Sequence, residues 1–118
     1  MKTQLITNYQ EWNDAEKFAL LDIIEINTDN NEVITSLAVE FGDGYTSLHK
    51  IYTQPEYRGQ GYASRLIEYC LENNLNEIEV YLKCNLKRAN WYEKFGFKFS
   101  HNSEDHEGFI WMKREVNG

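Results

Sequence analysis

Every second position of "EVITSLAVEF" (32–41) favours one side, with Val33, Leu37, Val39 and Phe41 sharing a face with Thr35. That period of two predicts a strand with one buried face. "LLDIIEI" (20–26) reads as a largely buried strand, and "NTDNN" as the turn between the two. Gly42, Asp43 and Gly44 form a hairpin turn into a further strand at about 45–53. Ahead of these, Asn8 and Glu11 in "NYQEWNDAEKFAL" have the spacing of a capping box and predict a short helix over 9–18.

After Pro55 the period changes. Ala63, Leu66, Ile67, Cys70 and Leu71 form one stripe of an amphipathic helix, which "ENNLNE" ends. Ile78, Val80, Leu82 and Cys84 alternate in a strand within 78–84. "LKRANWYEKF" predicts a second helix closed by Gly96. "FKFS" and "FIWMKREV" bracket the polar loop "HNSEDHEG" as a last hairpin. The sum is an α/β (α+β) domain over 1–118: a mixed sheet with two long helices packed on it.

Composition narrows the function classes. At 118 residues, 42% of them hydrophobic, the chain is long enough to bury one core unaided. No apolar run approaches membrane-spanning length, and "MKTQLITNYQ" lacks the apolar region of a signal peptide, so a cytoplasmic protein is expected. Cys70 and Cys84 lack metal-like spacing and read as buried thiols, while His49, His101 and His106 are scattered; no metal is expected. Twelve basic against nineteen acidic residues give a formal charge of −7, which repels phosphate backbones and suits a cationic partner.

One stretch is out of proportion to the rest. The chain has a single proline and seven glycines, yet "PEYRGQGYASRL" (55–66) places Pro55, Gly59 and Gly61 within seven residues, at the start of a helix. A helix N-terminus carries unpaired N–H groups and about half a positive charge. Glycines let an oxyanion approach those amides, and Arg58 adds a cation at the rim. A diphosphate is the natural guest, although two glycines and a proline also suffice for an ordinary strand-to-helix turn.

"IYTQPEYRGQGYASRLIEYCLENN" resembles the acetyl-CoA-binding segment of the GNAT N-acetyltransferase superfamily, whose Q/R-x-x-G-x-G/A signature reads here Arg58, Gly59, Gln60, Gly61, Tyr62, Ala63. "NLKRANWYEKFGF" resembles that superfamily's second segment, with Asn85 and Tyr92 seven residues apart. The resemblance covers about residues 32–115. It implies a mixed, mostly antiparallel sheet splayed between its fourth and fifth strands, here 45–53 and 77–84, with acetyl-CoA in the gap. It further implies that the pantetheine arm pairs with backbone at Ile51, Tyr52 and Thr53. The pyrophosphate would lie on Arg58, Gly59, Gln60, Gly61, Tyr62, Ala63 and Ser64. Asn85 would orient the pantetheine, and Tyr92 would assist departure of the CoA thiolate.

For the base that frees the amine, His49 is the first candidate, with Glu40 and Glu79 as alternatives; an exposed strand histidine without a role is the competing reading. Glu104, Asp105 and Glu107 of the last hairpin would attract a cationic amine, or simply solvate the hairpin tip. Two departures from the superfamily pattern stand out. Arg88 occupies a position that is usually small, where it would clash with the cofactor or reach a phosphate. About 19 residues precede the second strand, where a strand and two helices are usual. The acceptor side is therefore expected to be open, or completed by a second subunit in a homodimer.

The implied activity is acetyl transfer from acetyl-CoA to a primary amine, of a protein or of a small cationic molecule, by direct attack. The alternative is a catalytically weak or inactive acyl-CoA-binding sensor. A nucleic-acid acceptor is disfavoured by charge, and no membrane partner is expected.

Overall fold

The computed structural model describes residues 1–12, 18–42, 44–104 and 108–116. Seven strands form one sheet: β1 (Thr3–Trp12), β2 (Phe18–Asn27), β3 (Glu32–Gly42), β4 (Tyr45–Thr53), β5 (Val80–Asn85), β6 (Lys98–Glu104) and β7 (Phe109–Arg114). Their order across the sheet is β1-β2-β3-β4-β5-β7-β6, antiparallel throughout except for β4 and β5. Helix α1 (Tyr62–Asn73) links β4 to β5, and a 3-10 turn over Leu86–Arg88 leads into α2 (Ala89–Glu93). No helix among the described residues is long and apolar enough to cross a membrane.

The apolar periodicities find their partners in one core. Leu21, Ile23, Leu37, Val39 and Leu48 face the α1 stripe of Leu66, Ile67, Cys70 and Leu71. Val80, Leu82, Ile110, Met112, Phe95 and Phe97 continue the same cluster beneath α2. Both α-helices thus pack into one core on a single face of the sheet.

Two expectations are corrected. Residues 9–12 are not helical: they belong to β1, which pairs with β2 from Thr3↔Asn27 to Trp12↔Phe18, and residue 18 already opens β2. Residues 13–17 of that expected helix lie outside the described residues. A capping box supplies only a helix start, whereas ten ladder pairs with an adjacent apolar strand satisfy far more backbone. The second helix is also not long. Its first three residues form the 3-10 turn, capped by Asn85 Oδ1 accepting from the Arg88 amide at 3.0 Å, and α2 has five residues before Gly96 takes φ 95°. Strand β6 runs on through Glu104, into what reads in sequence as loop.

The β4–β5 junction shapes the rest. Only Ser47↔Tyr81 and Leu48↔Leu82 pair before the strands part. Ala38 pairs with His49 but Ser36 with Tyr52, so Leu37 faces both Lys50 and Ile51. This bulge puts Lys50 at φ 51°, in the left-handed region. Past it β4 continues to Thr53 with β3 on one side and an open gap on the other.

Candidate active site

The gap between the parted strands is a cleft of about 460 Å³. Ile51, Tyr52 and Thr53 form its β4 wall; Arg58, Gly59 and Gly61 through Ser64 form the end over the α1 N-terminus. Arg88 and Trp91 close it from the segment after β5. The residues that line it thus come from stretches nearly forty positions apart in sequence.

Pro55 starts a 3-10 turn, Pro55–Tyr57, that carries the chain off β4. Gly59 follows at φ 76° and Gly61 caps α1 at φ 84°. A Cβ on Gly59 would meet nothing of the protein within 4 Å, so its φ and the space over it, not internal packing, account for glycine there. A Cβ on Gly61 would press on Arg65 Nη1 at 2.8 Å. That guanidinium donates to the Gln60 carbonyl at 3.1 Å and lies over the Tyr62 ring, bracing the turn. No acidic residue occupies the first turn of α1, so no side-chain carboxylate of that turn competes for its amides. Arg58 donates from Nε to the Thr53 carbonyl at 2.9 Å and lies over the Tyr52 ring. These ties hold a cation against the end of β4.

The other residues singled out by sequence divide into two groups. Asn85 is exposed and its side chain caps the 3-10 turn; it does not line the cleft. Tyr92 packs half-buried against the core, edge-to-face with Trp91 and Phe97, and also lies outside the cleft lining. Burial pushes its phenol above the ordinary range, with the Arg88 guanidinium pulling the other way. The phenol therefore keeps its proton at neutral pH. Arg88 neither fills the cleft nor turns from it: it lines the mouth, stacked over the Trp91 ring at 5.4 Å.

His49 is on the sheet face opposite the helices, with Nε2 3.3 Å from Glu40 Oε2; Glu40 Oε1 accepts from the Tyr45 hydroxyl at 2.8 Å. Two of the three base candidates therefore form one pair. Glu79 is elsewhere, accepting from the Tyr81 hydroxyl. Ser47 is in the row of Glu40, and its buried Oγ has no hydrogen-bond partner among the described residues. The side chains of Glu104, Asp105 and Glu107 lie outside the described residues. No group of three metal-ligating side chains occurs among the described residues. Cys70 is buried and its thiol is pushed up to about 12, as suits an inert core residue.

Sequence reading passed over Trp91, Tyr57 and Arg65. Trp91 carried a signal as the aromatic one turn after Arg88, but a helix assumed to be longer hid which face it takes. Tyr57 follows Pro55 too closely for any periodicity to apply.

A family model described as "Acetyltransferase (GNAT) domain" matches residues 22–99. The fold is shared with ElaA of Escherichia coli (21% identity, TM-score 0.64, over 81% of this chain and 68% of that one). It is shared also with the ribosomal-protein-S18-alanine N-acetyltransferase of Escherichia coli (18% identity, TM-score 0.67, over 84% and 70%). A third likeness is to PaiA N-acetyltransferase of Thermoplasma acidophilum in complex with coenzyme A (19% identity, TM-score 0.65, over 82% and 61%). Comparison with curated protein sequences finds no relative. With its family model spanning both the glycine turn and the segment after β5, the chain belongs to the GNAT acetyltransferase family.

Proposed function

We propose that the chain transfers an acetyl group from acetyl-CoA to a primary amine by direct attack of the amine on the thioester. One observation carries the reading: a free strand edge and an uncompensated helix N-terminus open onto the same cleft. The edge at Ile51–Thr53 offers backbone groups to the amides of the pantetheine arm, as an added strand would use them. Gly59 to Ser64 offer amides to the pyrophosphate, with Arg58 beside them; each charge-assisted hydrogen bond contributes about 1.5–3 kcal/mol.

The chemistry needs a neutral amine. An alkylamine of pKa about 10.4 is charged at neutral pH, and freeing its lone pair there costs about 4 kcal/mol. His49, oriented by Glu40, accepts that proton. The nitrogen then forms its bond to the acyl carbon, the C–S bond breaks, and the second proton of the nitrogen passes to the departing sulfur. The phenol of Tyr92 donates its hydrogen toward the leaving sulfur. A protein amine is the other acceptor of the same chemistry.

The test is release of free CoA thiol from acetyl-CoA by the full chain, with and without a primary amine. Amine-dependent release is expected. Acetyl-CoA binding without release on any amine would replace this reading with that of an acyl-CoA sensor.

A further inference from the structure

We propose that a second cavity, on the sheet face opposite α1, is the acceptor site and takes a small primary monoamine with an apolar body, of the alkylamine or arylalkylamine class. The proposal rests on the acyl-transfer reading above and specifies its acceptor. The cavity encloses about 380 Å³.

Its floor follows from strand register. Asp22 of β2 pairs with Ala38 of β3, and Ala38 pairs with His49 of β4, so the three form one row across the sheet. Strands are spaced by about 4.8 Å, which sets Asp22 and His49 roughly 10 Å apart on either side of Ala38. A methyl group between two longer side chains leaves a pit. In the next row Leu20 pairs with Glu40, which holds His49. Both rows alternate with the core positions Leu21, Leu37, Val39 and Leu48, so they face away from α1.

The walls select the guest. Phe18 and Leu20 make one side apolar. Glu40 is already engaged by His49 and Tyr45, whereas Asp22 has no hydrogen bond or ion pair among the described residues. Asp22 is thus the carboxylate left for an ammonium group, and Lys50, the cation of the lining, is exposed at its edge. Two carboxylates against one ammonium favour a monocation. The apolar wall opposes a second buried charge, as in a polyamine, and supplies few partners for a peptide backbone.

The cavity adjoins the chemistry. His49 and Lys50 line it, and Ile51, the next residue, lines the CoA cleft; the β4 bulge is the boundary. An amine drawn in by Asp22 therefore meets His49, its proton acceptor, beside the end of the cleft. In the transfer, one proton passes from the ammonium to His49, the N–C bond forms as the C–S bond breaks, and the second proton of the nitrogen passes to the departing sulfur, so that CoA leaves as the thiol.

Phenethylamine, spermidine and an alanyl peptide are the probes, measured by ligand-observed NMR binding and by thiol release with acetyl-CoA. Phenethylamine is expected to bind saturably, to be the best of the three acceptors, and to lose at least about tenfold in affinity in both Asp22→Asn and Ala38→Leu. CoA affinity should be unchanged in both. Asp22→Asn is nearly isosteric, so it remains decisive if the larger Ala38→Leu fails to fold. Phenethylamine that does not bind, or binds both variants as it binds the parent chain, overturns the site. Thiol release with spermidine or the peptide but not with phenethylamine overturns the acceptor class and upholds acyl transfer. Binding weakened by both variants, without release, upholds the amine site and overturns acyl transfer.

Discussion

Cys70 belongs to the core and Tyr92 packs half-buried against it, and burial raises the proton affinity of both groups with different consequences. Burial raises the Tyr92 phenol, while Arg88 opposes that rise. A phenol that keeps its hydrogen is suited to hydrogen-bond a developing thiolate more than to transfer a proton outright. Tyr92→Phe is expected to lower turnover by about tenfold or more, with acetyl-CoA affinity within about twofold; steady-state kinetics and calorimetry check it. Unchanged turnover would remove Tyr92 from the reaction. Cys70 instead has consequences for stability. Its thiol rises from 9.0 to about 12 in the fold, so between those values the unfolded chain loses a proton that the folded chain keeps. The unfolded state then binds fewer protons, and stability falls as pH rises through that window, by roughly 1.4 kcal/mol per unit from this group. Denaturant unfolding at pH 8 and pH 10.5 should show the fall. Cys70→Ala, less stable at both, should show a shallower one.

At the scale of elements, the strand-to-helix turn is where backbone conformation and ligand chemistry coincide. Gly61 combines φ 84° with a Cβ position that would press on Arg65, so a side chain there strains the turn before any ligand arrives. Gly61→Val is expected to weaken CoA binding by at least about tenfold, the equivalent of one lost charge-assisted hydrogen bond. Calorimetry measures this, and the thermal midpoint shows whether the fold persists. The 3-10 turn after β5 has a comparable economy. Capping by Asn85 turns the chain within three residues, which brings Arg88 and Trp91 to the cleft mouth rather than along a longer helix. The bulge at Lys50 does the same for β4, ending one cavity and starting the next.

For the whole molecule, charge and topology act together. A net charge of −7 favours approach of a cationic acceptor, and the effect is screened by salt. Between about 0.1 and 1 M salt the screening length falls from about 10 to 3 Å. The kcat/KM for a monocationic amine should fall across that range while kcat changes little; equal values would assign acceptor capture to apolar contact alone. Much of this architecture was legible in the sequence. The α1 stripe, the alternation of β3 and the glycine turn are local patterns, because a single face of each element meets the core. The first strand was not legible. "TQLITNYQEW" carries no clean period, and only pairing with β2 makes it a strand. The length of α2 was hidden as well, since a 3-10 start and an α-helix share their residues. What the sequence alone determined is the family signature and the buried side of its clearly periodic elements, α1 and β5 among them, since both depend on neighbours a few residues away. Tertiary structure alone decided where β4 and β5 part, which residues face each other across the cleft, and that Asp22, Ala38 and His49 lie in one row. Those are matters of register between distant strands, and register is set by the whole sheet closing on one core.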